Sequence, residues 1–249
     1  MGVNQFFASI RSGCSNELEY ATELIKARGV LLEGNSLTVS DNAEKSDAQW
    51  LKERLLRYNI GDVIDGHIVL TNYSNIEKIF NAERIGGEAA GYGEGWDRFC
   101  RYLMVRKVPL RYLEPFIARY IKAISACSVK TWCSCDGCQY DGRGKILVDT
   151  EYPSEKWHAL IIQRVLKQRF NLKWSKNYST INFSRGSKWE TYIELNRAAA
   201  FLYQNRKKIR QIKSDAVQNI SRRMISHLSY QDVEQVFSDA ANQLFDALE

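Results

Sequence analysis

The sequence predicts a mainly helical fold with a minor β component in its N-terminal part. Several segments place apolar residues three and four positions apart, as on one face of a helix, and Leu18, Ala21, Leu24 and Ile25 are an example. Short apolar runs broken by polar residues lie between residues 30 and 70, which is typical of strands joined by turns. These two patterns together favour helices over a large sheet.

The N-terminal region, residues 1–85, is predicted to be a helical or α+β domain. Helices are expected over 16–28, with Gly29 as a stop, over 47–58, and over 74–84. Between them, residues 30–47 suit a strand and turn or a linker, and residues 60–70 suit a short strand or hairpin.

A glycine-rich segment follows this region. Residues 86–95 contain five glycines, with no lysine or serine at the spacing of a phosphate-binding loop, so a flexible linker is predicted. A second domain is then predicted over 96–228, and an acidic amphipathic helix over 229–249. The helices expected in the second domain cover 96–105, 110–126, 157–170, 187–205 and 207–225.

Charge is strongly segregated along the chain. The 249 residues carry a net charge of +6, but residues 156–223 hold sixteen lysines and arginines against three acids, a net charge of +13, which leaves −7 for the remainder. A concentrated positive segment attracts polyanions, and double-stranded DNA is the predicted partner. The alternative is a solvated helix surface with no partner.

The hydropathy pattern predicts no membrane partner. No run of about eighteen apolar residues occurs, and the first ten residues lack a basic start followed by a long apolar stretch. A cytoplasmic location is therefore predicted, where cysteines stay reduced.

Four of the six cysteines lie close together and predict one bound zinc ion. They are Cys127, Cys133, Cys135 and Cys138. A reduced quartet binds zinc tetrahedrally, and a Cys-x-x-Cys loop such as 135–138 brings two ligands together. His158 is an alternative fourth ligand, and a redox or iron–sulfur role, or no metal, stays open. Cys14 and Cys100 suit a helical core.

A turn and helix start at residues 183–189 predict a helix-turn-helix-like element. Ser187 and Glu190 have the spacing of a capping box. Trp189 and Ile193 are expected on the inner face, with the helix over 157–170 as a scaffold and an extra short helix within 171–182. An amphipathic helix without a DNA role is the alternative.

Nine basic residues are the predicted DNA contacts, since flanking cations fix phosphates and the start of a helix in the major groove reads bases. They are Arg143, Lys145, Arg185, Lys188, Arg197, Arg206, Lys207, Lys208 and Arg210.

Three segments resemble a known family. They are WDRFCRYL at 96–103, LEPFIARYI at 113–121 and SRGSKWETY at 184–192, with the cysteine run between the last two. Together they look like Q-type late-gene antitermination proteins of lambdoid phages, over residues 95–205. The chain departs from that pattern in lacking a second Cys-x-x-Cys pair. The resemblance implies a protein that binds a late promoter, joins paused bacterial RNA polymerase and makes it read through terminators, without catalysis.

Two other functions remain possible on the sequence. One is a DNA-binding regulator with a structural zinc that does not contact polymerase. The other is a metal-dependent nuclease that would use Asp136, Asp141, Asp149 or Glu151. Acidic residues beside cysteines are common in loops, and no paired catalytic pattern such as His-Glu-x-x-His occurs, so a non-enzyme is predicted.

Overall fold

A computed structural model describes twelve segments and four single residues of the chain. They are residues 3–28, 30–33, 36–39, 45–65, 67–79, 116–127, 129, 131–135, 145–148, 166–167, 169–172, 180–182, 188–218, and 235, 242 and 246. Most of these residues are helical, which confirms the predicted fold class at this level. The contacts divide the chain into two compact units, 1–119 with 136–142 and 120–135 with 143–249. The predicted linker at 86–95 lies outside the described residues.

The first unit alternates helices with two antiparallel hairpins. The order is α1 (Val3–Arg11), α2 (Glu17–Ala27), β1 (Val30–Glu33), β2 (Ser36–Val39), α3 (Lys45–Arg57), β3 (Gly61–Ile64), β4 (His67–Leu70) and a 3-10 turn (Tyr73–Asn75). Strand β1 pairs with β2, and β3 pairs with β4. The helices predicted at 16–28 and 47–58 and the hairpin at 60–70 are confirmed. Of the helix predicted at 74–84, residues 74 and 75 belong to the 3-10 turn, residues 78 and 79 are helical, and residues 80–84 lie outside the described residues.

Helix α2 begins with a reciprocal cap. The side chain of Asn16 accepts a hydrogen bond from the Glu19 amide at 2.9 Å, and the Glu19 carboxylate accepts one from the Ser15 amide at 2.6 Å. Two amides without a helical partner are thus satisfied. The helix buries Leu24 and Ile25 as predicted, but Leu18, in its first turn, is 49% exposed, so the predicted apolar face is wrong at that position.

Helix α3 ends in a Schellman motif. Asn59 has a φ of 51° and so adopts the left-handed conformation that such an end requires. Its amide donates to the Leu56 carbonyl at 3.1 Å, and the Ile60 amide donates to the Leu55 carbonyl at 2.9 Å. Leu55 and Ile60 are fully buried, which gives the hydrophobic contact typical of this motif.

The turn into β3 requires close packing at Gly61. A Cβ atom there would lie 3.0 Å from the Ile68 Cγ2 and 3.0 Å from the Val69 carbonyl oxygen. Glycine is therefore the residue that lets the two strands of this hairpin approach.

Within the described residues, the second unit combines helices with a three-stranded antiparallel sheet. Its elements are α4 (Ala118–Ala126, in this unit from Tyr120), β5 (Thr131–Cys135), β6 (Lys145–Val148), β7 (Thr180–Asn182) and α5 (Lys188–Gln218). The sheet order is β5-β6-β7, with Cys135 opposite Lys145 and Ile146 opposite Ile181. The prediction confined β structure to the N-terminal part and is wrong here. These strands are too short to produce a sequence period of their own.

Strand β7 also bears on the predicted helix-turn-helix element. An extra short helix was expected within 171–182, and residues 180–182 form a strand instead. Residues 173–179 and the turn at 183–187 lie outside the described part of the chain. The long helix therefore follows closely on a strand.

Helix α5 is continuous over 31 residues, which corresponds to about 46 Å. Two helices with a break near residue 206 were predicted, and the break is wrong. No glycine or proline occurs in this helix, and Asn205, which favours turns, instead donates from its side chain to the Phe201 carbonyl at 2.9 Å. Of the predicted helix 229–249, only Gln235, Asn242 and Asp246 are described, each helical and exposed.

Candidate nucleic-acid interface

The first half of α5 anchors the helix in the second unit. It buries Tyr192, Leu195, Ala198, Ala199 and Leu202. The prediction placed Trp189 and Ile193 on this inner face, but both are half-buried. The true face is rotated by about one residue, which corresponds to roughly 100° around a helix. Trp189 instead stacks on Tyr192, with ring centroids 5.8 Å apart.

A segment before the helix packs against this anchored half. The rings of Phe170 and Phe201 lie 5.7 Å apart, and the Arg169 guanidinium lies 5.0 Å from the Phe201 ring centre. The Asn171 amide donates to the Glu194 carboxylate at 3.0 Å. Leu166 and Leu172 are buried on either side of these contacts. These contacts hold the first half of α5, and Ile209, which is 4% exposed, adds a buried residue in the second half.

Glu194 also holds the predicted DNA contact Arg197. The Arg197 Nη1 donates to the other carboxylate oxygen of Glu194 at 2.7 Å, although 65% of the arginine side chain is exposed. The prediction that Arg197 faces solvent is confirmed, but its charge is balanced by this pair. Glu190, one turn earlier, is exposed as well. The outer surface of the first half therefore carries no excess of positive charge among these residues.

The second half of α5 is strongly basic. Between Gln204 and Ser214 it holds five cations and no acid. Two of them, Arg206 and Arg210, fold back onto the helix. The Arg206 guanidinium lies 3.9 Å from the centre of the Tyr203 ring and donates to the Tyr203 carbonyl, and the Arg210 Nε donates to the Arg206 carbonyl at 3.3 Å.

Lys207 and Lys208 point away from this arrangement. Both are exposed, and so are Gln204 one turn earlier and Gln211 one turn later. Residues three and four apart lie on the same helix face, so these four side chains form one surface, here called the basic stripe. Among the described residues neither lysine lies within ion-pair distance of a carboxylate. Within the described part of the chain, the positive charge of the basic stripe is therefore uncompensated.

Cys127, one of the four predicted zinc ligands, is a core residue of the second unit. Its thiol is 1% exposed and donates to the Leu202 carbonyl at 3.5 Å. Burial raises the pKa of Cys127 to about 12, against a smaller opposing effect of Arg210 and Arg206. The thiol donates this hydrogen bond inside the core of the second unit, so packing against α5 is the role that the described contacts give Cys127.

The other predicted ligands are only partly described. Cys133 and Cys135 are two residues apart in β5, opposite Leu147 and Lys145, and hence at positions of the ladder that share one face. Cys138 and His158 lie outside the described residues. Within those residues no group of three or more His, Cys, Asp or Glu side chains is placed to hold a metal ion. The zinc site stays a prediction.

The remaining predicted DNA contacts are distributed over several elements. Lys145 begins β6 and Lys188 begins α5, and for both the structure describes the backbone position. Arg143 and Arg185 lie outside the described residues. No described helix is both long and apolar enough to cross a membrane.

Two features of this region were missed by reasoning from the sequence. Among the described residues the buried hydroxyl of Tyr120 has no hydrogen-bond partner, and burial raises its pKa well above the ordinary value. No sequence pattern distinguishes such a tyrosine from one with a partner. The outward position of Gln204 and Gln211 could have been found, because extending the helical period of Leu195 and Leu202 to residue 214 places both glutamines on the opposite face.

Comparison with known proteins identified no relative of this chain. Neither a family model, nor a curated protein, nor a solved structure matches the chain. The resemblance to phage antitermination proteins therefore rests on the three sequence segments and the cysteine run between the last two.

Proposed function

We propose that this protein binds double-stranded DNA through the second half of α5. The observation that carries the proposal is the run of five cations without an acid between Gln204 and Ser214, in which two lysines are exposed and free of ion pairs among the described residues. Such a surface gains free energy by releasing counterions from a polyanion. The segregation of charge along the chain supports the same partner.

The composition of the basic stripe favours nucleic acid over a membrane surface. A helix that binds lipid combines its cations with a broad face of Trp, Phe or Leu. Here the lysines are flanked on the exposed face by Gln204, Gln211 and Ser214, which are all polar. Polar amides and hydroxyls beside cations are the donors that contact phosphates and base edges.

The specific role proposed is transcription antitermination in the cytoplasm of a bacterial host. The resemblance of the 96–103, 113–121 and 184–192 segments supports this role, and bacterial RNA polymerase would be the protein partner. One zinc ion, held by Cys133, Cys135, Cys138 and either Cys127 or His158, is part of the proposal. No catalytic step is proposed.

DNA binding is tested by fluorescence anisotropy with a labelled 30-base-pair duplex, measured from low to moderate salt. We expect the logarithm of the binding constant to fall linearly with the logarithm of salt concentration, by about 0.9 for each phosphate neutralised. Absence of binding to any duplex at low salt would refute the proposal. An uncharged duplex analogue is the control.

Antitermination is tested separately, by transcription with purified bacterial RNA polymerase on a template that carries the late promoter of the source phage and a terminator. Increased read-through on this template, but not on one with an unrelated promoter, is expected. DNA binding without any change in read-through would leave a DNA-binding regulator that does not act on polymerase.

A further inference from the structure

The four exposed residues of the basic stripe differ in chemistry, and this difference suggests how DNA is held. Lys207 and Lys208 are adjacent, about 100° apart around the axis, while Gln204 precedes both by one turn and Gln211 follows both by one turn. The stripe from Gln204 to Gln211 extends about 10.5 Å along the helix, at about 1.5 Å for each residue. This length equals about three steps of a duplex at 3.4 Å each.

We propose that the basic stripe lies in the major groove of double-stranded DNA, with Lys207 and Lys208 on phosphates and Gln204 at the edge of an adenine. Glutamine presents a donor and an acceptor that match the N6 and N7 positions of adenine, and lysine contacts phosphate as a point charge. Arg206 and Arg210 stay bound to the helix. This inference rests on the DNA binding proposed above and assigns its surface.

The same geometry excludes Arg206 and Arg210 from the contact. Each donates to a main-chain carbonyl of α5, and Arg206 also lies against the Tyr203 ring. Both side chains are half-buried, whereas Lys207 and Lys208 are exposed. The five cations thus differ in role. Arg206 and Arg210 stabilise the fold, and the exposed Lys207 and Lys208 contact the DNA.

The first half of α5 is less suited to contact DNA bases than its second half. A recognition helix usually contacts bases with residues near its N-terminus. In α5 the exposed Arg197 is held by Glu194. A continuous helix lying along the groove contacts DNA with its middle turns instead, as basic-region helices do.

The major groove is the binding site that fits a helix of this kind. B-form DNA has a groove about 12 Å wide, which accepts an α-helix with its side chains, whereas the major groove of A-form RNA is too narrow. Double-stranded RNA is therefore not expected to bind in this manner.

The experiment compares three double variants of the full-length protein, each of which loses two positive charges. They are Lys207→Gln/Lys208→Gln, Arg206→Gln/Arg210→Gln, and Lys52→Gln/Lys78→Gln in the first unit as the matched control. Binding to a random 30-base-pair duplex is measured over a range of salt concentrations, beside thermal unfolding of each variant.

We expect the Lys207→Gln/Lys208→Gln variant to bind every duplex more weakly and to have a salt slope shallower by about two, with unfolding unchanged. The Arg206→Gln/Arg210→Gln variant should unfold at lower temperature, and at temperatures where it is folded its salt slope should match that of the wild type. The reverse pattern, or equal slopes for the lysine variant and the Lys52→Gln/Lys78→Gln control, would overturn the assignment.

The glutamine is tested by selection from a random duplex library with the wild type and with Gln204→Ala. The variant should lose a preference for adenine at one position of the enriched sequence and keep the rest. An unchanged enriched sequence would refute base reading by Gln204, and equal affinity for a 30-base-pair RNA duplex would refute the major groove. Failure of the wild type to bind any DNA would refute the proposed function itself, which these other outcomes do not.

Discussion

The first unit and the second half of α5 use charged side chains in opposite ways. In the first unit Arg11 is paired with Glu17 and with Glu77, and its guanidinium lies 4.1 Å from the centre of the Tyr20 ring. The Tyr20 hydroxyl donates to the same Glu77 carboxylate at 2.6 Å. In α5 Lys207 and Lys208 are exposed, with no carboxylate near them among the described residues.

Charged side chains of the first kind stabilise the fold through internal ion pairs, whereas those of the second kind stay exposed and can bind a partner. The Arg11 cluster joins α1, α2 and the segment after β4, and it satisfies each of its members internally. The lysines of the basic stripe neutralise nothing within the described parts of the chain. The number of cations in a segment therefore does not identify a binding surface by itself. The internal partners of each cation must also be known, as Arg206 and Arg210 illustrate.

The largest expected effect is the loss of stability when a buried leucine is truncated in the core of either unit. Leu202→Ala and Leu55→Ala should each lower the free energy of unfolding by about 2–5 kcal/mol, because both side chains are fully buried. Urea unfolding followed by circular dichroism measures this loss. Only Leu202→Ala should also weaken DNA binding, since Leu202 holds the helix that carries the basic stripe. Equal loss of DNA binding in both variants would show that DNA binding does not depend specifically on the unit that carries the basic stripe.

A second prediction compares the two free thiols described. Burial raises the pKa of Cys14 to about 11, with Glu19 and Glu23 adding to the effect, and burial raises that of Cys127 to about 12 although arginines oppose it. At pH 8, below both values, each thiol stays protonated. Alkylation of Cys14 by iodoacetamide should then be about a hundredfold slower than in the unfolded chain, and it should accelerate about tenfold for each pH unit up to pH 11.

Peptide-resolved mass spectrometry distinguishes the two thiols. Glu19→Gln should lower the pKa of Cys14 and speed its reaction, while Glu53→Gln, a carboxylate in α3, serves as the control. Cys127 should react only as fast as the second unit unfolds, because its sulfur is buried. Reaction of Cys127 at the rate of Cys14 in the folded protein would contradict its place in the core.

The smallest expected effect is the change in stability when Arg11 or Lys207 loses its charge. Arg11→Met should cost up to about 1 kcal/mol of unfolding free energy, because its ion pairs are about half exposed. Lys207→Met should change stability by less than this, since no partner is lost. Denaturant midpoints at low and high salt measure both, and the Arg11 effect should shrink at high salt. A larger loss for Lys207→Met would reveal an internal partner of that lysine.

The elements that could be predicted from the sequence are those set by local signals. Helix α2 has its cap at Asn16, and α3 ends where Asn59 and Gly61 stand, so short-range rules place both helices within a few residues. The sheet β5-β6-β7 could not be predicted, because Ile146 pairs with Ile181 far along the chain. The inner face of α5 was misjudged because Trp189 was taken as an anchor, whereas the smaller Ala198 and Ala199 allow close packing.

The sequence predicted that the candidate site is basic, but not which of its cations are exposed and which contact the helix itself. The charge run identified the second half of α5 as basic. Which cations remain exposed depends on side-chain contacts such as the one between Arg206 and Tyr203, and the sequence does not specify these. The cysteine run likewise indicated thiols close together, but not that Cys127 is buried against Leu202.

The register of the three-stranded sheet has a consequence for the order of folding. The pairing of β6 with β7 joins positions about 35 residues apart, while α5 forms from contacts within a few residues. Closing the longer loop costs chain entropy before any strand contact offsets it, so we expect the helix to be largely formed in the rate-limiting transition state and β7 to join afterwards. Substitutions within α5 should then slow refolding, and substitutions at Ile181 should mainly speed unfolding.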